Sequence, residues 1–555
     1  MRGHESCLRA LHELGAGASL SAASANGATP AHLAATSGHE SCLRALHELG
    51  AAASLSAAEE GGWTPAHLAA WSGHESCLRA LHEGAGASLL AANADGDTPA
   101  HFAASCGHES CVEFLVSIGG AASLFADLAS SPGQIETDYP VLLSKPSLLV
   151  LAVKRAWLHV RLEAKVGGAD AVKLSLVARR DNILDGLCAQ LGVDETTGSL
   201  VEGTRAQQLD VTFDGEAAAG DALRREWFGQ ATAEMVDGRT GLFSPDGQQT
   251  LRPNPNSATE AGPDHLSYFA LLGRITGLSL YHQETLNVSW STAFLKAAFG
   301  YEIAFDDLEL EDPSLHSSQT QLLSLSAEDL EAVCLTFEVN GDEALVYEDS
   351  SKRRRVVELK PGGADEVVTQ ANLKEYLQLY ARHKLLGAIE PQVSAFRSGL
   401  GVFFDEDLLS TLRTCCTVAE VQLLICGQAA IDVDDWEQFT VYDPPGYRQS
   451  STVVSLWKVV RAMSVEERAQ LLHFATASTR PPATGFASLM GYGGAEQRFT
   501  VTRFDGPSAT ERLPTASACF NRLYLPEYGS EAELRAKLRL ALTESHGFAE
   551  AAVAT

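Results

Sequence analysis

A five-residue block, Gly-His-Glu-Ser-Cys, opens at Gly3, Gly38, Gly73 and Gly107, at spacings of 35, 35 and 34 residues. A second block, Thr-Pro-Ala-His, opens at Thr29, Thr64 and Thr98. A unit of this length cannot bury its own apolar face, so stacking on neighbouring units is what makes it stable. The local chemistry agrees. Pro30, Pro65 and Pro99 fall in the first turn of a helix, where the missing N–H costs nothing. Thr29, Thr64 and Thr98 are placed to cap that turn through their hydroxyls. The alanine-rich helices that follow allow close stacking. Residues 1–125 therefore read as an α-solenoid.

The same periodicity decides what many reactive side chains do here. Cys7, Cys42, Cys77 and Cys111 share one register and read as stacking residues. His32, His67 and His101 recur inside the turn, where a hydrogen-bonded structural role outweighs metal ligation. Thr-Pro-x-His, a short helix, a Gly-His turn and a second helix resemble the ankyrin repeat, which implies a protein-binding module. Trp63, Trp71 and the loops near Asn26, Glu59 and Asp95 vary between otherwise near-identical units. They are expected either to meet a partner or to pack between repeats. The sequence opens at the Gly-His turn, inside a unit and without a polar cap, so upstream repeats are expected to be missing from it.

With 555 residues there is room for two or more domains. The 41 Lys and Arg against 71 Asp and Glu leave a net charge of −30, which disfavours nucleic acid and anionic membranes as partners. Eleven cysteines without CxxC spacing argue for a reducing compartment and against zinc. No apolar stretch follows Met1-Arg2-Gly3-His4-Glu5, and the run Leu148 to Val153 is too short to span a bilayer. The expectation is a soluble protein of the cytoplasm or nucleus, with no transmembrane segment, cofactor or metal.

Beyond the repeats, Ser131-Pro132-Gly133, Tyr139-Pro140 and Lys145-Pro146 break any long element, so residues 126–156 read as a linker. Mixed helix and strand follow. Leu209 to Glu216 alternates and ends in a turn, and Ala222 to Val236 has helical spacing.

Near the far end lies Glu511-Arg512-Leu513-Pro514-Thr515-Ala516-Ser517-Ala518-Cys519-Phe520-Asn521, followed by an alternating run to Tyr528. Taken alone, this is a loop with one thiol at the start of an edge strand, flanked by small side chains. Thiolate is the side-chain nucleophile least hampered by its free pKa, although a single cysteine is more often a buried apolar residue. The stretch resembles the active-cysteine motif of HECT-type ubiquitin ligases at Leu513, Pro514, Ala516, Cys519, Phe520, Asn521, Leu525, Pro526 and Tyr528. Ser517 and Ala518 stand where that family usually has His and Thr. The resemblance extends in order through Arg224-Arg225-Glu226-Trp227-Phe228, Asn254-Pro255-Asn256-Ser257, Leu359-Lys360-Pro361-Gly362-Gly363, Asp434-Asp435-Trp436 and Phe474 to Pro482.

The resemblance implies a multidomain chain: an α-solenoid of ankyrin repeats, then a bilobal α+β HECT domain. Its amino-terminal lobe would span 157–437, a hinge 438–451, with Asp443-Pro444-Pro445-Gly446 stiffening its middle, and the carboxy-terminal lobe 452–555. It further implies a ubiquitin ligase that accepts ubiquitin from a conjugating enzyme onto Cys519 as a thioester and passes it to a substrate lysine, the repeats recruiting the substrate. Thr515, Ser517 and Asn521 would support the sulfur, Arg512 would stabilise a thiolate or be a solvated loop charge, and Phe548 would assist transfer despite the seven residues after it. Leu315, Phe337 and Tyr376 would line the conjugating-enzyme groove, or else be core. Cys106, Cys188, Cys334, Cys415, Cys416 and Cys426 read as packing. The departures at Ser517 and Ala518 leave open an alternative: a scaffold that binds conjugating enzyme without transferring ubiquitin.

Overall fold

The computed structural model describes residues 4–85, 88–167, 173–184, 186–194, 201, 208–216, 220–246, 250–340, 356–491, 495–505 and 511–544. The chain divides into two units, 1–161 with 414–416, and the remainder.

In the first unit each Thr-Pro-Ala-His opens a seven-residue helix: Pro30–Thr36, Pro65–Trp71 and Pro99–Ser105. All three carry a reciprocal cap in which the threonine side chain serves the helix and the histidine serves the threonine N–H. That N–H donates to Nδ1 of His32, His67 and His101 at 3.1, 3.1 and 3.0 Å. The opposite nitrogens of His32 and His67 reach the main-chain oxygens of Trp63 and Asp97, both at 3.1 Å, in the next repeat. One imidazole thus caps its own helix and ties it to the neighbouring unit.

Outer helices run Glu5–Glu13, Glu40–Glu48, Glu75–Ala85 and Glu109–Ser117. Glu40–Glu48 buries Cys42, Leu43, Ala45 and Leu46, whereas Glu5–Glu13, with the same nine residues, buries none. Burial here is set by neighbours, and Cys7 is accordingly exposed, against the expectation. Trp63 packs between repeats with its ring 4.3 Å from Phe102, while Trp71 is half exposed.

Residues 126–156 are not a linker. They form part of Ala122–Ser130, then Gln134–Thr137, Val141–Ser144, a 3-10 turn Pro146–Leu148 and the start of Leu151–Val166. Leu124, Phe125, Leu128, Ile135 and Leu142 are buried, and His101 Nε2 meets Asp127 Oδ2 at 3.0 Å. Of the prolines that suggested breaks, Pro146 opens the 3-10 turn and Pro140 caps Val141–Ser144, places where a fixed φ is favourable, while Pro132 lies in the turn just before Gln134–Thr137.

In the second unit the strand Gln208–Phe213 pairs in parallel with Lys173–Ala178, and the helix Asp221–Val236 follows. At the centre His265–His282, buried along most of its length, crosses Glu390–Leu400. A smaller subdomain (Asp307–Glu311, Pro313–Thr320, Ala327–Val333, the hairpin of Glu338–Asn340 with Val356–Glu358, and Leu373–Leu386) closes around Leu330, Phe337, Tyr376 and Leu377.

The carboxy-terminal lobe begins earlier than expected. Helix Val418–Cys426 stops at Gly427, a short irregular stretch follows, and Asp432 caps Val433–Phe439 through the N–H groups of Asp434 and Asp435. Trp436, Tyr442 and Tyr447 lie in one core with Trp457, Leu472, Leu523 and Leu538. The expected hinge 438–451 is therefore packed structure: the strand Val441–Asp443 and a 3-10 turn Pro445–Gln449. Tyr442 Oη accepts from Trp457 Nε1 and Tyr447 Oη donates to the Leu525 oxygen, both at 2.9 Å. Pro444-Pro445-Gly446 opens that turn and does not mark a break. The connector is the Gly427–Ile431 stretch.

The sheet of this lobe runs in the order Val441–Asp443, Thr500–Arg503, Arg522–Leu525, Thr515–Ser517. Arg522–Leu525 alternates in burial as the sequence suggests, yet it is an interior strand; the edge is Thr515–Ser517.

Candidate functional site

Cys519 sits on a single 3-10 turn, Ala518–Phe520, joining two antiparallel strands registered Arg522 to Ser517, Leu523 to Ala516 and Tyr524 to Thr515. Asn521 closes the turn in the left-handed conformation at φ 47°, which asparagine tolerates better than most residues. It is fully buried, and its Nδ2 donates to the main-chain oxygens of Met490 at 2.9 Å and Gln497 at 2.7 Å. A buried amide anchored on both sides fixes the turn that carries the sulfur.

The thiol is half-buried and rests against Ala222, Ala477 and Ala518, while Phe520 beside it is 46 % exposed. The departure at Ala518 has a physical counterpart, because alanines at 222 and 477 match it and let the helix Asp221–Val236 approach the turn closely. Thr515 is exposed on the edge strand and Ser517 precedes the turn half-buried. Arg512 is not aimed at the sulfur: its guanidinium lies 5.2 Å from the ring centre of Phe504, and its main-chain oxygen accepts from Tyr528 Oη at 2.7 Å. Phe548 lies outside the described residues.

The remaining thiols separate clearly. Cys42, Cys77, Cys111, Cys188, Cys415, Cys416 and Cys426 are buried, and burial pushes Cys77 and Cys426 up to about 12 and Cys111 up to about 11. Cys106 and Cys334, expected in packing positions, are exposed.

Of the two placements expected for Leu315, Phe337 and Tyr376, groove or core, the structure shows the core one. Phe337 is fully buried and meets Tyr376 edge-on at 5.6 Å. Tyr376 is 4 % exposed, and burial pushes its hydroxyl up to about 12. Both are core, and Leu315 packs partly buried against them. Among its described residues, the apolar side chains this subdomain leaves open are Leu310, Leu323, Val333 and Val367, which sequence reasoning did not single out. A cavity of about 910 Å³, with Tyr301, Gln378, Arg382, Glu390 and Arg397 in its wall, includes none of Leu315, Phe337 and Tyr376.

Sequence reasoning also missed Arg225. It lies on the buried side of Asp221–Val236, is 6 % exposed, and contacts the carboxy-terminal lobe. The signals were its place in the Arg224-Arg225-Glu226-Trp227-Phe228 stretch, which carried no role of its own, and a charged residue within an apolar helical pattern. Among the described residues no group of three or more His, Cys, Asp or Glu is placed to hold a metal ion, and no helix is long and apolar enough to cross a membrane.

Comparison with known proteins matches residues 230–551 to the HECT domain (ubiquitin-transferase), and residues 1–91 and 57–125 to ankyrin repeats. The chain is 38 % identical over 338 residues to the E3 ubiquitin-protein ligase HACE1 of Danio rerio, covering 60 % of this chain and 35 % of that protein. It is 35 % identical over 377 residues to the probable E3 ubiquitin-protein ligase hulA of Neosartorya fischeri, covering 67 % and 43 %. It is 35 % identical over 376 residues to the E3 ubiquitin-protein ligase RSP5 of Emericella nidulans, covering 67 % and 42 %. The chain thus spans between 35 % and 43 % of the length of these curated relatives.

Proposed function

The chain belongs to the HECT-domain (ubiquitin-transferase) family, and from that premise we propose that it is a ubiquitin ligase whose acceptor is Cys519. The observation that carries the reading is the half-buried thiol on an anchored turn, walled by alanines and beside the sheet's edge strand. Sγ attacks the carbonyl carbon of the conjugating enzyme's ubiquitin thioester, and that enzyme's sulfur leaves with the proton. A lysine amine of the substrate then attacks the new thioester, and Cys519 leaves as thiol. Both steps are acyl transfers through a tetrahedral intermediate. A thiol needs less help from a base than a hydroxyl would, since part of it is ionised near neutral pH. The ankyrin array recruits substrate; covalent tethering raises the local concentration of whatever it holds.

The test mixes the full chain with ubiquitin-activating and conjugating enzymes, ubiquitin and ATP. A ubiquitin adduct that thiol reductant removes, and that Cys519→Ala abolishes, is the expected result. Absence of adduct from the wild-type chain would overturn the reading and favour the scaffold that Ser517 and Ala518 suggest.

A further inference from the structure

Two arginines cross the seam between the lobes in opposite directions. Arg225, from the amino-terminal lobe, donates through Nη2 to the Met490 oxygen at 2.9 Å, and through Nη1 to the Thr476 oxygen and, at 3.5 Å, to Asn521 Oδ1. Its Nε is held by Glu284 Oε2 at 3.0 Å, and both residues are buried. Glu284 is presented by Gln283, which ends the central helix in the left-handed conformation. In the other direction Arg480, from the carboxy-terminal lobe, donates through Nη1 to the Val288 oxygen at 2.8 Å and through Nη2 to Ser289 Oγ at 3.2 Å. Between them lies a cavity of about 20 Å³ with Arg225, Glu284, Thr476, Arg480 and Met490 in its wall, room for one water molecule. The seam is also tight at the connector, where a β-carbon on Gly427 would stand 2.3 Å from the Pro481 oxygen.

The two arms are not equivalent. Arg480 grips the Val288 oxygen and the Ser289 hydroxyl, both far in sequence from the thiol. Arg225 grips Met490, whose oxygen also accepts from Asn521 Nδ2, and touches Asn521 itself, two residues beyond Cys519. A planar guanidinium presents five N–H donors in a fixed fork, whereas an ammonium is a compact point charge with three donors and no such preset geometry.

We propose that Arg225, oriented by Glu284, is a positioning residue for the Cys519 thiol: it locks the turn behind the sulfur onto the amino-terminal lobe. The inference rests on the reading that Cys519 carries ubiquitin. Arg225 does not touch the reacting atoms, and the small subdomain that the family resemblance implies for conjugating-enzyme docking is built from other residues. Its loss therefore lowers the rate of acyl transfer and leaves the affinity for the charged conjugating enzyme unchanged.

The experiment follows single-turnover charging of the full chain across a range of charged conjugating-enzyme concentrations, for wild type, Arg225→Lys, Arg225→Gln and Arg480→Lys, with thermal melting of each. Wild type must form the thiol-sensitive adduct; if it does not, the parent reading has failed and the clasp is not at issue. Given an active wild type, Arg225→Lys keeps a cation beside Glu284 and is expected to melt near wild type. Its kcat is expected to fall roughly 10- to 100-fold at unchanged KM, the scale of a misplaced reacting group. Arg480→Lys is expected to stay within about threefold. Should Arg225→Gln not fold, Arg225→Lys decides. Equal losses in Arg225→Lys and Arg480→Lys, a kcat within about twofold of wild type, or a change confined to KM would each overturn the proposal.

Discussion

A β-carbon on Gly399 would stand 1.8 Å from the main-chain oxygen of Ala270. The helices His265–His282 and Glu390–Leu400 cross at this point with their backbones in contact, and a β-carbon on Gly273 would likewise stand 2.0 Å from the Phe396 oxygen. Neither clash is with a flexible side chain that can swing away. Gly399→Ala is expected to cost about 3 kcal/mol or more, by forcing two packed helices apart. Gly229 lies inside the helix Asp221–Val236 with open space where its β-carbon would go. Gly229→Ala is expected to stabilise by about 0.5–1 kcal/mol through helix propensity and a less flexible unfolded chain. Urea unfolding of both variants measures the contrast, and a Gly399→Ala protein as stable as wild type would contradict the close crossing.

The thiols make a chemical prediction. Serine at position 519 would hold ubiquitin as an oxygen ester, so Cys519→Ser is expected to give a weaker adduct that survives thiol reductant and is removed by alkali. In the native protein at neutral pH, iodoacetamide is expected to reach Cys519 and the exposed Cys7, Cys106 and Cys334, and to spare Cys77, Cys111 and Cys426. Burial holds these three as protonated thiols, and the thiolate is the reactive form. Peptide mapping that found Cys426 labelled before Cys519 would count against this assignment.

What the sequence made legible was local or periodic. Thr29, Thr64 and Thr98 cap helices because capping needs only residues three apart, and the period itself announces the stack. Asn521 and Pro514 mark the thiol's turn for the same reason. What depended on distant neighbours was lost. Pro132, Pro140 and Pro146 read as breaks, yet the segment that contains them packs as short helices around Ile135 and Leu142. Tyr442 and Tyr447 lie in a turn-rich stretch whose order comes from Trp457 and Leu525. An aromatic on a helix, such as Tyr376, has the same pattern whether its ring is covered or open. Arg225 looks like any charged helix residue until the carbonyls of Thr476 and Met490 are brought to it from more than two hundred positions away.

The small subdomain separates stability from docking. Phe337→Ala removes a fully buried ring from contact with Tyr376 and is expected to cost about 3–5 kcal/mol. Leu323→Asp alters an exposed apolar position and is expected to leave stability within about 0.5 kcal/mol. If the open apolar positions receive the conjugating enzyme, Leu323→Asp raises the KM for charging while melting stays put. Charging kinetics set beside melting temperatures test this, and an unchanged KM in Leu323→Asp would place the docking surface elsewhere.

The histidine caps predict how the ankyrin array responds to acid. Nδ1 of His67 accepts the Thr64 N–H at 3.1 Å, so its proton resides on Nε2, which faces the Asp97 oxygen. Protonation would set an N–H against an N–H in a fully buried turn, and burial, only partly countered by the Asp97 oxygen, holds this imidazole below its ordinary range. Well above about pH 6.5, by pH 7.5, the group is neutral both folded and unfolded and contributes almost no pH dependence. Below that, the unfolded chain takes up a proton that the folded one refuses. Stability is then lost at up to about 1.4 kcal/mol per pH unit until the folded group titrates as well. Glutamine at this position can accept the same N–H, as it does in other capping boxes, but has no proton to gain. His67→Gln is therefore expected to keep most of the stability at pH 7.5 and to flatten its decline between pH 6.5 and 5.5. Urea midpoints of the full chain and the variant at the two ends of that window provide the measurement. A variant that declined as steeply as wild type would show that the acid sensitivity arises elsewhere.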